Sequence, residues 1–69
     1  MTFGEKVREV RGRLQLTQKQ LGQQLGIKYY TINRWEKGHH HPTFLLLRRF
    51  EDFCDKHGIK FELENNGMI

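Results

Sequence analysis

The chain has few residues that cross-link or rigidify a protein: its 69 residues include one cysteine and one proline. A single cysteine cannot form a disulfide within the chain. The core must therefore be stable without disulfide bonds, as in a reducing cytosol. The N-terminus has no long apolar run, which predicts neither a signal peptide nor a membrane span. We therefore expect a cytoplasmic protein without membrane contact.

The small size also limits the chemistry that we expect. A chain of 69 residues makes one domain and buries only about 60% of the surface of its unfolded state. A cleft lined by several pre-organised groups is hard to build on so small a core, and no nucleophile, base and orienting group assemble in the sequence. We expect neither an enzyme nor a cofactor.

Positive charge is abundant but unevenly distributed. The chain has 12 Lys and Arg against 8 Asp and Glu, with a pI of about 9.6. Up to Arg49 there are ten basic residues and three acidic ones, whereas from Phe50 onward two basic residues face five acidic ones. The N-terminal part therefore carries a field that attracts phosphate groups.

The pattern of residues 17–38 is the most informative feature. Thr17 is a good N-cap, Leu21 and Leu25 share one helical face, and Gly26 suits the left-handed residue that ends a helix. A second apolar stripe then runs to a helix end at Gly38; it consists of Ile27, Ile32 and Trp35. Two helices joined by a short glycine-containing turn are typical of the helix-turn-helix, whose second helix fits the DNA major groove.

Two further helices and a tail complete the pattern. An amphipathic first helix is predicted by the apolar spacing of Phe3, Val7, Val10 and Leu14, and another helix begins after Thr43 and ends at Gly58. Beyond it, alternation predicts a strand with its apolar face formed by Ile59, Phe61 and Leu63. Asn65-Asn66-Gly67 is a hairpin signal. We expect a domain over residues 1–57 and a β tail over residues 58–69.

Residues 17–38 closely resemble the Cro/repressor (Xre-type) family of phage and bacterial DNA-binding proteins. The likeness includes the Thr17-Gln18 start, the Trp-Glu-Lys-Gly end and Pro42, and it extends back to about Phe3 and forward through the helix after Thr43. It implies an all-α, repressor-like domain of four or five helices, to which the tail adds a short β-strand or hairpin. The function implied is a sequence-specific regulator of transcription, a repressor, that binds double-stranded DNA.

Two positions depart from the family pattern. Gly22 stands where the family usually has alanine; glycine allows close helix approach but costs about 1 kcal/mol of helix propensity. Lys28 stands where the second helix of the motif usually begins with a capping Ser or Thr. Its charge opposes the positive helix N-terminus, but it would be favourable beside a phosphate.

Matching the family position by position implies which side chains contact DNA. The base-contacting positions correspond to Tyr29, Tyr30 and Arg34, with Asn33 beside them. Arg34 is the best candidate because its guanidinium can donate to guanine O6 and N7 together. The tyrosines could pack on thymine methyls, bond phosphate, or cover the core. For phosphate contacts, only Gln18 matches the family's backbone-contacting glutamine. The remaining candidates, which rest on their charge and place, are Lys28, Lys37, His39 and His40, with the loop continuing to His41.

A metal site is not expected. Adjacent histidines in a loop rarely point at one ion, and a structural zinc site needs four ligands at staggered spacing. Cys54 lies on an apolar stripe, where a buried thiol is usual. A phosphate-facing loop that gains charge below about pH 6.5 is the better interpretation of the three histidines.

The resemblance also implies an ion pair between Arg11 and Glu36, which match positions where the family carries a partly buried Arg–Glu pair. The tail could form a homodimer by pairing its strand with that of a second chain. Two alternatives remain open: an antitoxin that binds its own operator and a toxin partner, and an adaptor that uses the fold to bind protein.

Overall fold

The structure, a computed structural model, describes residues 1–61, and these fold into four α-helices. The helices are α1 (Phe3–Leu14), α2 (Gln18–Leu25), α3 (Tyr29–Glu36) and α4 (Phe44–Lys56). The all-α class predicted from the sequence is thereby confirmed for this part of the chain. None of the four helices combines the length and the apolarity that a bilayer crossing requires.

Three of the helices begin with a threonine cap. The side chain of Thr17 accepts from the Gln20 amide, and the Gln20 side chain accepts from the Thr17 amide in return. Thr43 caps α4 by accepting from Leu46. Lys28, which precedes α3, makes no side-chain cap hydrogen bond, so α3 is held in place by its packing rather than by its own sequence.

The core is built where α3 packs against α1 and α2, with α4 closing the far side. Its largest fully buried side chains are Trp35, Leu21, Ile32, Val7 and Val10. Phe3 links α1 to α3 and α4, because its ring makes edge contacts with the rings of Trp35 and Phe50. The distances between ring centroids are 5.1 Å and 5.3 Å. The apolar stripes read from the sequence therefore meet in one cluster.

Close backbone approach sets the geometry of the helix-turn-helix. A Cβ atom at Gly22 would lie 2.7 Å from the Ile27 carbonyl oxygen, closer than side chains tolerate. Gly26 ends α2 with φ of 74°, a left-handed conformation that glycine adopts without strain. A Cβ atom at Gly4 would similarly overlap the Trp35 carbonyl oxygen, so α1 also approaches α3 closely.

The predicted C-terminal strand is not supported. Residues 59–61 have no regular secondary structure, and the Ile59 amide donates to the Cys54 carbonyl at 2.9 Å, closing the end of α4. Ile59 is buried and Phe61 packs against the core, so their alternation reflects burial rather than pairing with another strand. Leu63 and the Asn65-Asn66-Gly67 hairpin signal lie outside the described residues.

Replacing Gly22 with alanine should destabilise the domain by about 1–3 kcal/mol, because the added methyl group overlaps the Ile27 carbonyl. Gly12 is the matched control, since a Cβ atom there meets no atom of residues 1–61 within 4 Å, and alanine should stabilise α1 by about 0.5–1 kcal/mol. Thermal unfolding followed by circular dichroism measures both. A Gly22→Ala protein that melts above the wild type would contradict the close approach.

Candidate nucleic-acid interface

The last residue of α3, Glu36, has a buried carboxylate: its side chain is 4% exposed. Arg11 of α1 meets it with two parallel hydrogen bonds, Nε to Oε2 at 2.6 Å and Nη2 to Oε1 at 2.9 Å. A third donor, Arg11 Nη1, reaches the Leu16 carbonyl at 3.1 Å. The structure therefore brings together the two residues predicted to pair, and it ties α1 to the end of α3.

Glu36 also gathers partners from the other helices. Gln18 of α2 donates its side-chain amide to Oε1 at 3.2 Å, and it accepts from the Asn33 amide at 3.4 Å. Arg8 lies at 3.8 Å from the same carboxylate and donates to the Glu36 carbonyl at 3.3 Å. One buried charge thus fixes the relative positions of three helices.

These contacts shift the ionisation of the pair. Burial alone would raise the pKa of Glu36, but the hydrogen bonds from Arg11 and Gln18 and the nearby positive charges outweigh it, so the pKa is lowered. The hydrogen bonds that Arg11 donates to Glu36, together with the negative charge of Glu36, raise the pKa of Arg11 against the opposing effect of its partial burial. A carboxylate with a lowered pKa in the folded state stabilises the fold wherever it is ionised.

The outer face of α3 carries the side chains predicted to contact bases. Tyr29 and Tyr30 are 55% and 51% exposed, and their rings meet edge to face at 6.0 Å. Arg34 is exposed, and within residues 1–61 its guanidinium makes no hydrogen bond or ion pair. Asn33 differs from these three, because it is half-buried and its amide is directed to Gln18.

The predicted phosphate contacts lie at both ends of α3 and at the start of α2. Gln18 is the first residue of α2, and Lys28 is exposed before α3. After α3, an exposed basic segment follows; it comprises Lys37, His39, His40 and His41. His40 and His41 line a cleft of about 380 Å³ together with Arg8. The eight-residue α3 is about 12 Å long, so the two basic ends flank the tyrosines and Arg34.

The three loop histidines, His57 and Cys54 do not form a metal-binding group within residues 1–61. In the described part of the chain, no group of three or more His, Cys, Asp or Glu side chains is arranged to hold a metal ion. Cys54 is buried, and burial together with the charges of Asp55 and Glu51 raises its pKa to about 11. The ring of His57 packs against Phe53 at 4.5 Å.

The sequence analysis missed two arginines that position the interface. Arg49 of α4 donates to the Leu25 carbonyl at 2.9 Å, next to the turn at Gly26. No local sequence pattern predicts this contact, because it depends on how α4 crosses α2. Arg8 is not among the residues that the sequence analysis singles out, although it stands three residues before Arg11 and hence on the same side of α1.

The sequence profile of the helix-turn-helix family matches residues 7–61. The chain is similar to the Type II methyltransferase M.SsoII of Shigella sonnei, with 42% identity over 52 residues that cover 71% of this chain and 14% of that protein. It is also similar to the HTH-type transcriptional activator BcrR of Enterococcus faecalis, with 36% identity over 53 residues that cover 77% of this chain and 26% of that protein. The chain thus spans well under a third of the length of these two relatives. No solved structure matches the chain.

Replacing Glu36 with alanine should lower the free energy of unfolding by about 3–5 kcal/mol, because it leaves Arg11 partly buried without its partner. The double variant Arg11→Met/Glu36→Leu should lose less free energy of unfolding than Glu36→Ala, because it leaves no unpaired charge behind. Glu9→Ala is the control, since the Glu9–Arg13 pair is exposed and should contribute about 0.5 kcal/mol or less. Chemical denaturation compares the three, and a small loss for Glu36→Ala would contradict the role of the pair.

Acid should unfold the wild type partly through Glu36. Its lowered pKa means that its contribution is present above the ordinary value of 4.5 and is lost as pH falls through the folded-state value. A Glu36→Gln variant should therefore be less stable at neutral pH and show a shallower loss of stability below pH 4.5. Parallel slopes for the two proteins in a denaturation series from pH 7 to pH 3 would rule this out.

Proposed function

Because the chain belongs to the Cro/C1-type helix-turn-helix family of DNA-binding domains, we propose that it binds double-stranded DNA sequence-specifically and regulates transcription. One observation carries the proposal: the outer face of α3 holds two exposed tyrosines beside Arg34, whose guanidinium is unpaired within residues 1–61. Such side chains are left in water unless a partner takes them up. A basic domain with this face on the second helix of the motif suits the major groove.

In this proposal, α3 lies in the major groove with its N-terminal part toward the bases. Arg34 donates to the O6 and N7 atoms of a guanine, and Tyr29 and Tyr30 contact neighbouring bases. Asn33 stands beside them, and its hydrogen bond to Gln18 gives it the further task of orienting that side chain. Base identity is then read mainly by the three exposed residues.

Phosphate contacts position the domain without reading sequence. Gln18 lies at the N-terminus of α2, where free backbone amides favour an anion. Lys28 and Lys37 lie near opposite ends of α3, and the loop of His39 and His40 follows Lys37. These groups lie on both sides of the base-reading face, as expected if they contact phosphates on either side of the groove.

We propose repression as the regulatory effect, because a domain that occupies the major groove excludes other proteins from the same DNA. Such a regulator of bacterial or phage genes works in the cytoplasm, where the DNA is. The segment shared with the activator and the methyltransferase is a small part of each. Neither the activation of one nor the activity of the other is carried over to this chain.

Replacing Arg34 with alanine should reduce the sequence preference at one base pair, whereas Lys37→Ala should lower the affinity for all DNA sequences alike. Each lost phosphate contact should also make the slope of log affinity against log salt less steep by about 0.9. Titrations of both variants on a matched and a mismatched duplex, at several salt concentrations, separate the two roles. Equal losses on both duplexes for Arg34→Ala would refute base reading, and a flat salt response would refute phosphate binding.

We further propose that the domain over residues 1–57 acts as a homodimer through the tail over residues 58–69. Since Ile59 is buried in the core and Phe61 packs against it, the test removes only residues 62–69. The shortened protein should keep its helices but become monomeric and bind a two-fold operator more weakly. Light scattering and DNA titration measure this, and a full-length protein that is already monomeric at high concentration would refute the dimer.

A further inference from the structure

Tyr30 and Arg34 stand four residues apart on α3, and residues at this spacing are neighbours on one helical face. Both are exposed, and four residues at about 1.5 Å each separate them by about 6 Å along the axis. Base pairs in a duplex follow one another about 3.4 Å apart. When α3 lies in the major groove at an angle to the duplex axis, the separation of about 6 Å projects onto that axis as a shorter distance. We take this distance to be one base-pair step, so that the two side chains reach neighbouring base pairs.

The two side chains differ in what they select. A guanidinium pairs with guanine O6 and N7, because it has parallel donors for the two acceptors. A tyrosine ring presents an apolar face, and the apolar group that base pairs expose in the major groove is the C5 methyl group of thymine. A cytosine methylated at C5 carries the same group at the same place.

The position of the Tyr30 ring is supported by its neighbour. Tyr29 meets it edge to face at 6.0 Å with an angle of 73° between the ring planes. Such contacts add attraction beyond burial. A ring held in one position before binding loses less freedom when it meets a base. Tyr29 therefore supports the Tyr30 ring in addition to its own proposed base contact, and Tyr30 is the ring that shares a face with Arg34.

We propose that the domain reads a C5-methylated pyrimidine next to a guanine, with the Tyr30 ring on the methyl group and Arg34 on the guanine. This rests on the proposed function and adds to it the identity of two neighbouring base pairs. It also makes the C5 methyl group itself, rather than the rest of the base, the feature that Tyr30 recognises.

The first experiment selects bound duplexes from random DNA with the full-length protein. The expected result is a T·A pair next to a G·C pair at a fixed place in every selected half-site. Selected sequences that lack this neighbouring pair overturn the inference and leave the proposed function standing. A failure to retain any duplex at low salt would instead overturn the proposed function.

The second experiment changes one chemical group at a time on the bases of the selected DNA site. Uracil in place of the thymine removes only the C5 methyl group and should weaken wild-type binding about fourfold. Cytosine and 5-methylcytosine at the same position distinguish the two sources of the methyl group, and the methylated base should bind about fourfold more tightly. Equal affinities within both pairs would overturn the inference. A 7-deazaguanine at the neighbouring position should weaken binding about tenfold.

Variants assign each effect to its side chain. Tyr30→Ala should abolish the difference between thymine and uracil, and Tyr30→Phe should keep it because the ring remains. Tyr29→Ala is the matched ring deletion and should keep a measurable difference; if it alone abolishes the difference, the assignment to Tyr30 is wrong. Arg34→Ala should become insensitive to 7-deazaguanine. Circular dichroism checks that each variant is folded, as expected for exposed positions.

Discussion

The buried carboxylate of Glu36 is the group on which the geometry of the proposed interface depends. A carboxylate removed from water is tolerated only when cations and donors surround it closely, and here these come from Arg11 of α1 and Gln18 of α2. Because they belong to different helices, the charge is compensated only when α1, α2 and α3 are all in place. The same residue that closes α3 therefore fixes the helix against the rest of the domain.

The need for such an anchor follows from the weakness of α3 as a helix. It has eight residues and no side-chain cap, and its first turns contain Tyr29, Tyr30, Thr31 and Ile32, which are all modest helix formers. A helix this short is not stable alone. Burial of Ile32 and Trp35 and the close approach at Gly22 supply the stability instead. The outer face is thus free to carry residues that do nothing for the helix itself.

Local signals predicted the helices well, and tertiary contacts account for what they missed. The caps at Thr17 and Thr43 and the turn at Gly26 act within a few residues, so the sequence displays them. The contact from Arg49 to the α2 carboxyl end exists only once two helices cross, and Gln15 adopts a left-handed φ of 56° although it is not a glycine. The site residues came from family likeness, since exposure alone does not distinguish Arg34 from other surface arginines.

The period-two pattern after Gly58 shows why one sequence signal can have two causes. Within residues 59–61, Ile59 is buried, Lys60 is exposed and Phe61 packs partly buried against the core, although the segment is irregular. A strand makes the same pattern for a different reason, the pleat of its backbone. A β-strand differs from such an irregular segment in having a second strand to which its backbone is hydrogen-bonded. The periodicity of the sequence gives no information about that second strand.

The position of Trp35 has an optical consequence. It is the chain's one tryptophan, it is 1% exposed, and it lies on the same helix as the two exposed tyrosines, against the ring of Phe3. Its indole nitrogen is buried, with no hydrogen-bond partner in the part of the chain that the structure describes, so its emission is that of an indole shielded from water. Tyr29 and Tyr30 precede Trp35 by six and five residues on the same helix, within about 9 Å along its axis, so we expect the excited tyrosines to transfer energy to the indole. The molecule therefore contains a built-in fluorescence pair, in which the acceptor responds to unfolding of the core and the donors respond to whatever touches the outer face.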